Sequence, residues 1–211
     1  MTTDLIEFDP ERPAEEVVER AAAAVRRGKV VAVPTDALYT LVTDPFNLNA
    51  VSHVFLAKGR EIQRSLPLLI ADLMMAEELA KELSKSFYML ARRFWPGPLT
   101  IIVPSSAKVP LKVTGNTGRL ALRQSSAKVI EALIAALNQP LIATSANISG
   151  HPTCRSGIEV FGMMDGRVDL ILDGGACAGR GATTVDITEP AWQVIRGGAI
   201  AEKEIAECLA A

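Results

Sequence analysis

At 211 residues, with 49% hydrophobic and 22% charged side chains, the chain has the makeup of a folded protein of one large domain or, less economically, two small ones. That balance excludes disorder over most of the length. The uncharged stretch Phe94 to Ala107 is cut by Pro96, Pro98 and Pro104, and no run approaches the roughly 20 apolar residues of a membrane span. The net charge of −2 is uneven: residues 1–50 sum to −4, residues 51–130 to +7 and residues 131–211 to −5. A basic middle in an acidic whole points to a local anion site rather than a general nucleic-acid coat. Cys154, Cys177 and Cys208 show no paired spacing, and only His53 and His151 accompany them. That argues against a disulfide framework and a zinc site, and a cytoplasmic setting is expected. The acidic Met1–Pro13 lead does not read as a signal peptide.

After that lead, Pro13 opens a helical pattern with Val17, Val18, Ala21, Ala24 and Val25 on one face and Gly28 as its stop. Residues 29–33 read as a buried strand, followed by the polar turn Thr35–Thr40. Asn49 is expected to cap a helix carrying Val51, Val54 and Phe55, which runs into Ala57-Lys58-Gly59-Arg60. Residues 67–71 read as a strand, and Asp72 and Ser84 as caps of the next two helices. The second of these ends at the rigid turn Trp95-Pro96-Gly97-Pro98. Residues 99–103 form a strand, 104–118 a looser stretch, and Leu120–Leu122 a strand ending at Arg123. A helix over 126–137 precedes the strand Pro140–Ala143, which feeds Thr144-Ser145-Ala146-Asn147-Ile148-Ser149-Gly150. A weak helix near 158–164, a strand over 168–172, a glycine-rich turn over 173–181, a final strand pair and a C-terminal helix over 202–209 complete the chain. Without repeats or a dividing linker, the expectation is one α/β domain over residues 1–211, a twisted mixed sheet with flanking helices.

The Thr144–Gly150 cluster is the kind of short, polar strand end where open α/β sheets place ligands. Ser, Asn and Gly equally favour ordinary turns and caps. Other elements end alike: Thr35 and Tyr39, Lys58 and Arg60, Arg123, and Arg196. Converging, these ends would line a cleft with cations, hydroxyls and amides. Such a lining suits a polyphosphate and a reaction at phosphorus, where a protein mainly positions groups and neutralises charge. Taken singly, Lys58 and Arg60 equally suit a solvated helix end. The glycine-rich turn lacks Walker A spacing and a dinucleotide fingerprint, so a mobile surface loop is expected there. No His neighbours a plausible nucleophile. His151, beside the cluster, is a weak candidate for a substrate contact.

The series Pro34-Thr35-Asp36-x-x-Tyr39, Lys58-x-Arg60, Trp95-Pro96-Gly97-Pro98-Leu99-Thr100, Arg123, Ser145-Ala146-Asn147-x-Ser149-Gly150, Asp173-Gly174-Gly175, Thr184-Val185-Asp186 and Arg196-x-Gly198-x-Ile200 resembles the YrdC-type threonylcarbamoyl-AMP synthase family. The resemblance spans nearly the whole chain. It implies a large basic concave cavity and an activity in which L-threonine, bicarbonate and ATP give threonylcarbamoyl-adenylate and pyrophosphate. That adenylate supplies the N6-threonylcarbamoyl group of adenosine 37 in tRNA. The resemblance further implies ATP contacts at Lys58, Arg60, Ser145, Asn147, Thr153 and Arg196, with Lys58 and Arg60 stabilising phosphate charge. Threonine contacts are implied at Thr35, Tyr39 and Arg123, with Mg²⁺ accompanying ATP. Other tRNA-threonylcarbamoylation proteins and RNA are the partners it implies.

The chain also departs from the family's pattern. Ala37 and Thr40 stand where Thr and Gly are common, Glu61 follows Arg60 where Pro is usual, Gln124-Ser125 replaces a hydrophobic-Pro pair, and Ala182 replaces Ser or Thr. These changes keep open an alternative: a relative that holds RNA or a nucleotide in the basic cavity without turnover.

Overall fold

Strand β2 (Val31–Val33) shows why the chain forms a two-faced sheet. Side chains alternate along a strand, and here Val31 and Val33 join one apolar cluster while Val30 and Ala32 join the other. The computed structural model describes residues 2–59 and 64–210. Among these residues, ten strands form one mixed sheet. In chain order the others are β1 (Asp4–Glu7), β3 (Thr40–Thr43), β4 (Leu68–Leu69), β5 (Leu99–Pro104), β6 (Arg119–Arg123), β7 (Leu141–Ser145), β8 (Leu170–Asp173), β9 (Thr183–Asp186) and β10 (Gln193–Arg196). Their spatial order is β1-β8-β2-β3-β7-β4-β6-β5-β9-β10. The pairs β1–β8, β2–β8, β4–β6 and β5–β9 are parallel, and the remaining neighbours are antiparallel.

Helices α1 (Glu15–Arg26) and α6 (Lys128–Leu137) lie on one face, where Val18, Ala21 and Val25 meet Val129, Ile130 and Leu133 over Val31, Val42 and Leu141. On the other face α2 (Leu48–Lys58), α3 (Leu73–Leu79), α4 (Lys85–Phe94), α7 (Gly157–Met164) and α8 (Glu202–Ala210) contribute buried residues to the larger core. Burying each large side chain there contributes about 1.5–3 kcal/mol. Side chains cap four of these helices: Asn47, Asp72, Ser84 and Ser156 each accept backbone N–H bonds in the first turn. The predicted cap at Asn49 therefore belongs to Asn47, whose Oδ1 takes the amides of Asn49 and Ala50. Among the described residues, no helix is long and apolar enough to cross a membrane.

Several expectations need correction. The acidic lead holds the edge strand β1, and the stretch after the Thr35 turn holds β3. The looser 104–118 segment contains the short helix α5 (Leu111–Thr114). The helix expected to begin at Ser126 starts at Lys128, because the Ser125 hydroxyl accepts the Ala127 amide and the chain is still extended at Ala127.

Candidate active site

Pairing register explains where the cavity lies. Leu69 pairs with Arg123 on adjacent strands, and Thr40 pairs with Ser145. By alternation, Thr40, Ser145, Arg123 and Thr100 share the face that α1 and α6 cover elsewhere. Past those helices this face is bare and carries small or polar side chains. It floors a cavity of about 350 Å³, walled by Thr35, Ala37, Leu38 and Tyr39 on one side and Gly181, Ala182, Arg196 and Gly197 on the other. Thr153, Ser65 and Pro67 also line it. Among the described residues, the charged groups on its wall, Arg123 and Arg196, are both cationic.

Six of the expected site residues thus meet here: Thr35, Tyr39, Arg123, Ser145, Thr153 and Arg196. Lys58 and Asn147 sit behind the wall instead. Lys58, only 2% exposed, ends α2 and sends its ammonium to Ser145 O (2.5 Å), Asn147 O (3.0 Å) and Asn147 Oδ1 (2.9 Å), with Ser145 Oγ at 3.4 Å. Ser145 Oγ donates to Asn147 Oδ1 at 2.6 Å, and Asn147 Nδ2 donates to His151 O at 2.5 Å. The cation reaches the cavity through Ser145. Arg60 and Glu61 lie outside the described residues. His151 is exposed and contributes that carbonyl, not its ring, to the network.

Two side chains that line the cavity direct their hydroxyls into the protein. Thr35 Oγ1 donates to Leu38 O at 2.7 Å and accepts the amides of Ala37 and Leu38, closing a tight turn. Tyr39 is fully buried. Its hydroxyl hydrogen is shared between Gly175 O (2.8 Å) and Asp173 Oδ1 (3.1 Å), and its oxygen accepts the Gly174 amide (3.0 Å). Burial pushes its pKa well above the ordinary tyrosine range, opposed by the Gly174 amide and assisted by the nearby Asp173 charge.

Arg123 is gripped on two sides. Nε donates to Gly97 O at 3.1 Å, and Nη2 donates to Asp36 Oδ1 at 2.5 Å. The Gly97 carbonyl belongs to the Trp-Pro-Gly-Pro turn, which is held by Trp95 Nε1 donating to Leu99 O (2.7 Å) and by the Gly97 amide donating to Gln124 O (2.8 Å). Arg196 donates through Nε and Nη2 to Ala182 O and opens onto the cavity. Its guanidinium pKa is lowered, first by the protein around it and then by the like charge of Arg123.

The glycine-rich turn is part of this site rather than a detached surface loop. A Cβ at Gly179 would meet Ala37 O at 2.9 Å and Asp36 O at 3.0 Å, so only hydrogen fits over the Thr35 turn. Gly181 reaches the cavity wall. Asp36, Ser125, Leu68 and Leu69 had no assigned role in the sequence reading. An acid beside an expected anion site was the available signal for Asp36.

Residues 23–198 match the Sua5/YciO/YrdC family model, which carries the description "Telomere recombination". The chain belongs to this family. It is 39% identical over 196 residues to the threonylcarbamoyl-AMP synthase of Pyrococcus abyssi, covering 92% of this chain and 58% of that protein. It is 34% identical over 181 residues to the enzyme of the same name from Pseudomonas putida, covering 86% of this chain and 97% of that one. P. abyssi Sua5 complexed with L-threonine superposes with a TM-score of 0.92 at 36% identity, over 99% of this chain and 61% of that one. Escherichia coli YciO superposes at 0.87 over 97% of this chain and all of its own, and at 24% identity it is a likeness of fold alone. The chain spans 58% of the length of the P. abyssi and Bacillus subtilis relatives.

Proposed function

We propose that this chain condenses L-threonine, bicarbonate and ATP into threonylcarbamoyl-adenylate and pyrophosphate, for N6-threonylcarbamoylation of adenosine 37 in tRNA. The observation that carries the reading is the cavity that joins Arg123 and Arg196 to the Ser145 end of β7, with Lys58 behind it. The names of the relatives and the threonine-bound neighbour support the choice of substrates.

In this reading Arg123 pairs with the threonine carboxylate, beside the Thr35–Tyr39 turn. The threonine amine loses a proton and captures bicarbonate carbon, releasing water and leaving a carbamate. A carbamate oxygen then forms a bond to the α-phosphorus while the bond to the β-phosphate bridging oxygen breaks, and pyrophosphate leaves. Arg196, Ser145 and Thr153 face the nucleotide. Arg60 joins them as a phosphate contact. Lys58 and Asn147 set the Ser145 end of the strand, and the Lys58 ammonium adds positive potential behind the phosphates. No covalent enzyme intermediate is required. Among the described residues no group of three His, Cys, Asp or Glu could hold a metal ion. Mg²⁺ would accompany ATP in this reading and would supply charge neutralisation at the phosphates. RNA and other threonylcarbamoylation proteins are the proposed partners for the product, and the cytoplasm the proposed compartment.

The test is pyrophosphate release with ATP, threonine and bicarbonate omitted in turn. Release that needs all three and disappears in Arg196→Ala supports the synthase. The Thr40 side chain on the cavity floor, where the family commonly has Gly, favours a second reading, nucleotide binding without turnover. ATP binding with no threonine-dependent release would establish that reading instead.

A further inference from the structure

Asp36 is a carboxylate with an unusual division of labour. Its Oδ1 accepts from Arg123 Nη2 at 2.5 Å and from the Ser125 hydroxyl in a short hydrogen bond. Its Oδ2 is buried and has no hydrogen-bond partner among the described residues. Asp36 is not on the cavity wall, whereas Arg123 is. Both side chains are nearly dry, at 13% and 11% exposure. Dry ion pairs stabilise poorly, because desolvation offsets the attraction, and an orphaned oxygen adds a further cost. Stability alone therefore does not explain this carboxylate, but orientation does. With Gly97 O on Nε and Asp36 on Nη2, the guanidinium plane is fixed and its remaining edge is left for the cavity.

Ser125 completes the arrangement. It is buried, donates to Asp36 Oδ1, and accepts the Ala127 amide just before α6. The carboxylate is thereby tied to the start of a packed helix rather than to a free loop. Position 125 is also where the chain departs from the Pro that the family pattern carries, so a hydroxyl here replaces a ring with no donor.

We infer that Asp36, held by Ser125, is a positioning residue that aims Arg123 at the carboxylate of the amino-acid substrate and so sets the affinity for that substrate separately from that for ATP. This rests on the reading of Arg123 as the carboxylate partner. Asp36 does not touch the substrate. What matters is an acceptor at Oδ1, not negative charge as such.

The experiment is calorimetric titration of L-threonine into wild type, Asp36→Ala, Asp36→Asn and Ser125→Ala, with the KM for ATP measured alongside. Asp36→Ala is expected to weaken threonine roughly 10- to 100-fold, as loss of a charge-assisted bond does. Asp36→Asn keeps an acceptor and is expected to stay within about threefold, with the KM for ATP changing less than about twofold in each variant. Ser125→Ala is expected to weaken threonine by about 3- to 10-fold. Unchanged threonine affinity in Asp36→Ala overturns the inference. So does equal weakening of threonine and ATP, or tighter threonine binding in both Asp36 variants, which would mean that charge alone matters. Should Asp36→Ala fail to fold, Ser125→Ala decides, and unchanged affinity there overturns the inference. Wild type that binds threonine without releasing pyrophosphate removes the synthase reading and leaves this inference to the affinities. Wild type that binds no threonine removes both.

Discussion

Lys58 Nζ lies 2.9 Å from Asn147 Oδ1, so a cation at the end of α2 fixes the turn that follows β7. The ammonium also holds the Ser145 and Asn147 carbonyls. Asn147→Ala removes the side-chain acceptor of the ammonium and the donor to His151 O, and should lower stability by about 1.5–3 kcal/mol. Lys58→Met fills similar volume but takes the ammonium away from both carbonyls, leaving Ser145 O with the Asn147 amide alone, and should lower stability comparably while cutting pyrophosphate release about 100-fold or more. Denaturant midpoints at constant m-value and a pyrophosphate assay check both. Full activity in Lys58→Met would contradict the proposed electrostatic role.

Thr40 both braces and narrows the cavity. Its Oγ1 donates to Thr144 O at 2.9 Å, and its side chain lies on the floor. Thr40→Gly removes that bond and loosens the start of β3, so stability should fall by about 1–2 kcal/mol. The enlarged floor should lower the KM for ATP. An unchanged KM would mean that the Thr40 side chain does not meet the nucleotide.

Tyr39→Phe removes the hydroxyl that joins the turn before β3 to Asp173, Gly174 and Gly175, at a cost of about 1–3 kcal/mol. The same phenol gives a pH signature. Its folded pKa is raised above the unfolded value of 10.0, chiefly by burial, so its contribution is complete below pH 10. Above that pH the unfolded chain releases the proton first, and stability falls by up to about 1.4 kcal/mol per pH unit. Unfolding measured from pH 8 to 11 should show this extra fall in wild type, and its absence in Tyr39→Phe.

Gly179→Ala places a methyl against the carbonyls of Ala37 and Asp36. Lifting the glycine-rich turn off the Thr35 turn should raise the KM for threonine several-fold, roughly the effect of about 1 kcal/mol. The melting temperature should drop by only a few degrees, because the main cores are untouched. A variant with wild-type kinetics would show that the turn tolerates displacement.

Much of the architecture was legible because apolar residues mark the strands and helices directly. Val31 and Val33 announce a buried strand, and Val129, Ile130 and Leu133 a packed helix. Strand β3 was hidden because Thr40 and Thr43 look like turn residues. Each is buried with its hydroxyl on a backbone carbonyl, Thr144 O and Lys29 O. Strand β1 was hidden by Asp4 and Glu7, whose exposure is natural at a sheet edge. The site residues could be gathered by their chemistry, but their orientations could not. Nothing in a row of letters says that the Tyr39 phenol turns inward, that Lys58 serves carbonyls of its own chain, or that Gly179 is small because Ala37 lies beneath it. These depend on which strands become neighbours, and β7 sits between β3 and β4 although about 70 to 100 residues separate them in the chain.

That interleaving has a thermal corollary. The cavity floor runs across strands from early, middle and late parts of the polypeptide, with the Thr35 turn on one wall and Arg196 on the other. A molecule seated there would be gripped by segments that must all be in place together, and would be released when any one of them peels away. Saturation at a hundred times the dissociation constant should therefore delay melting by the equivalent of about 2.7 kcal/mol. Amide exchange should slow at both sequence extremes of the pocket, not in one neighbourhood alone.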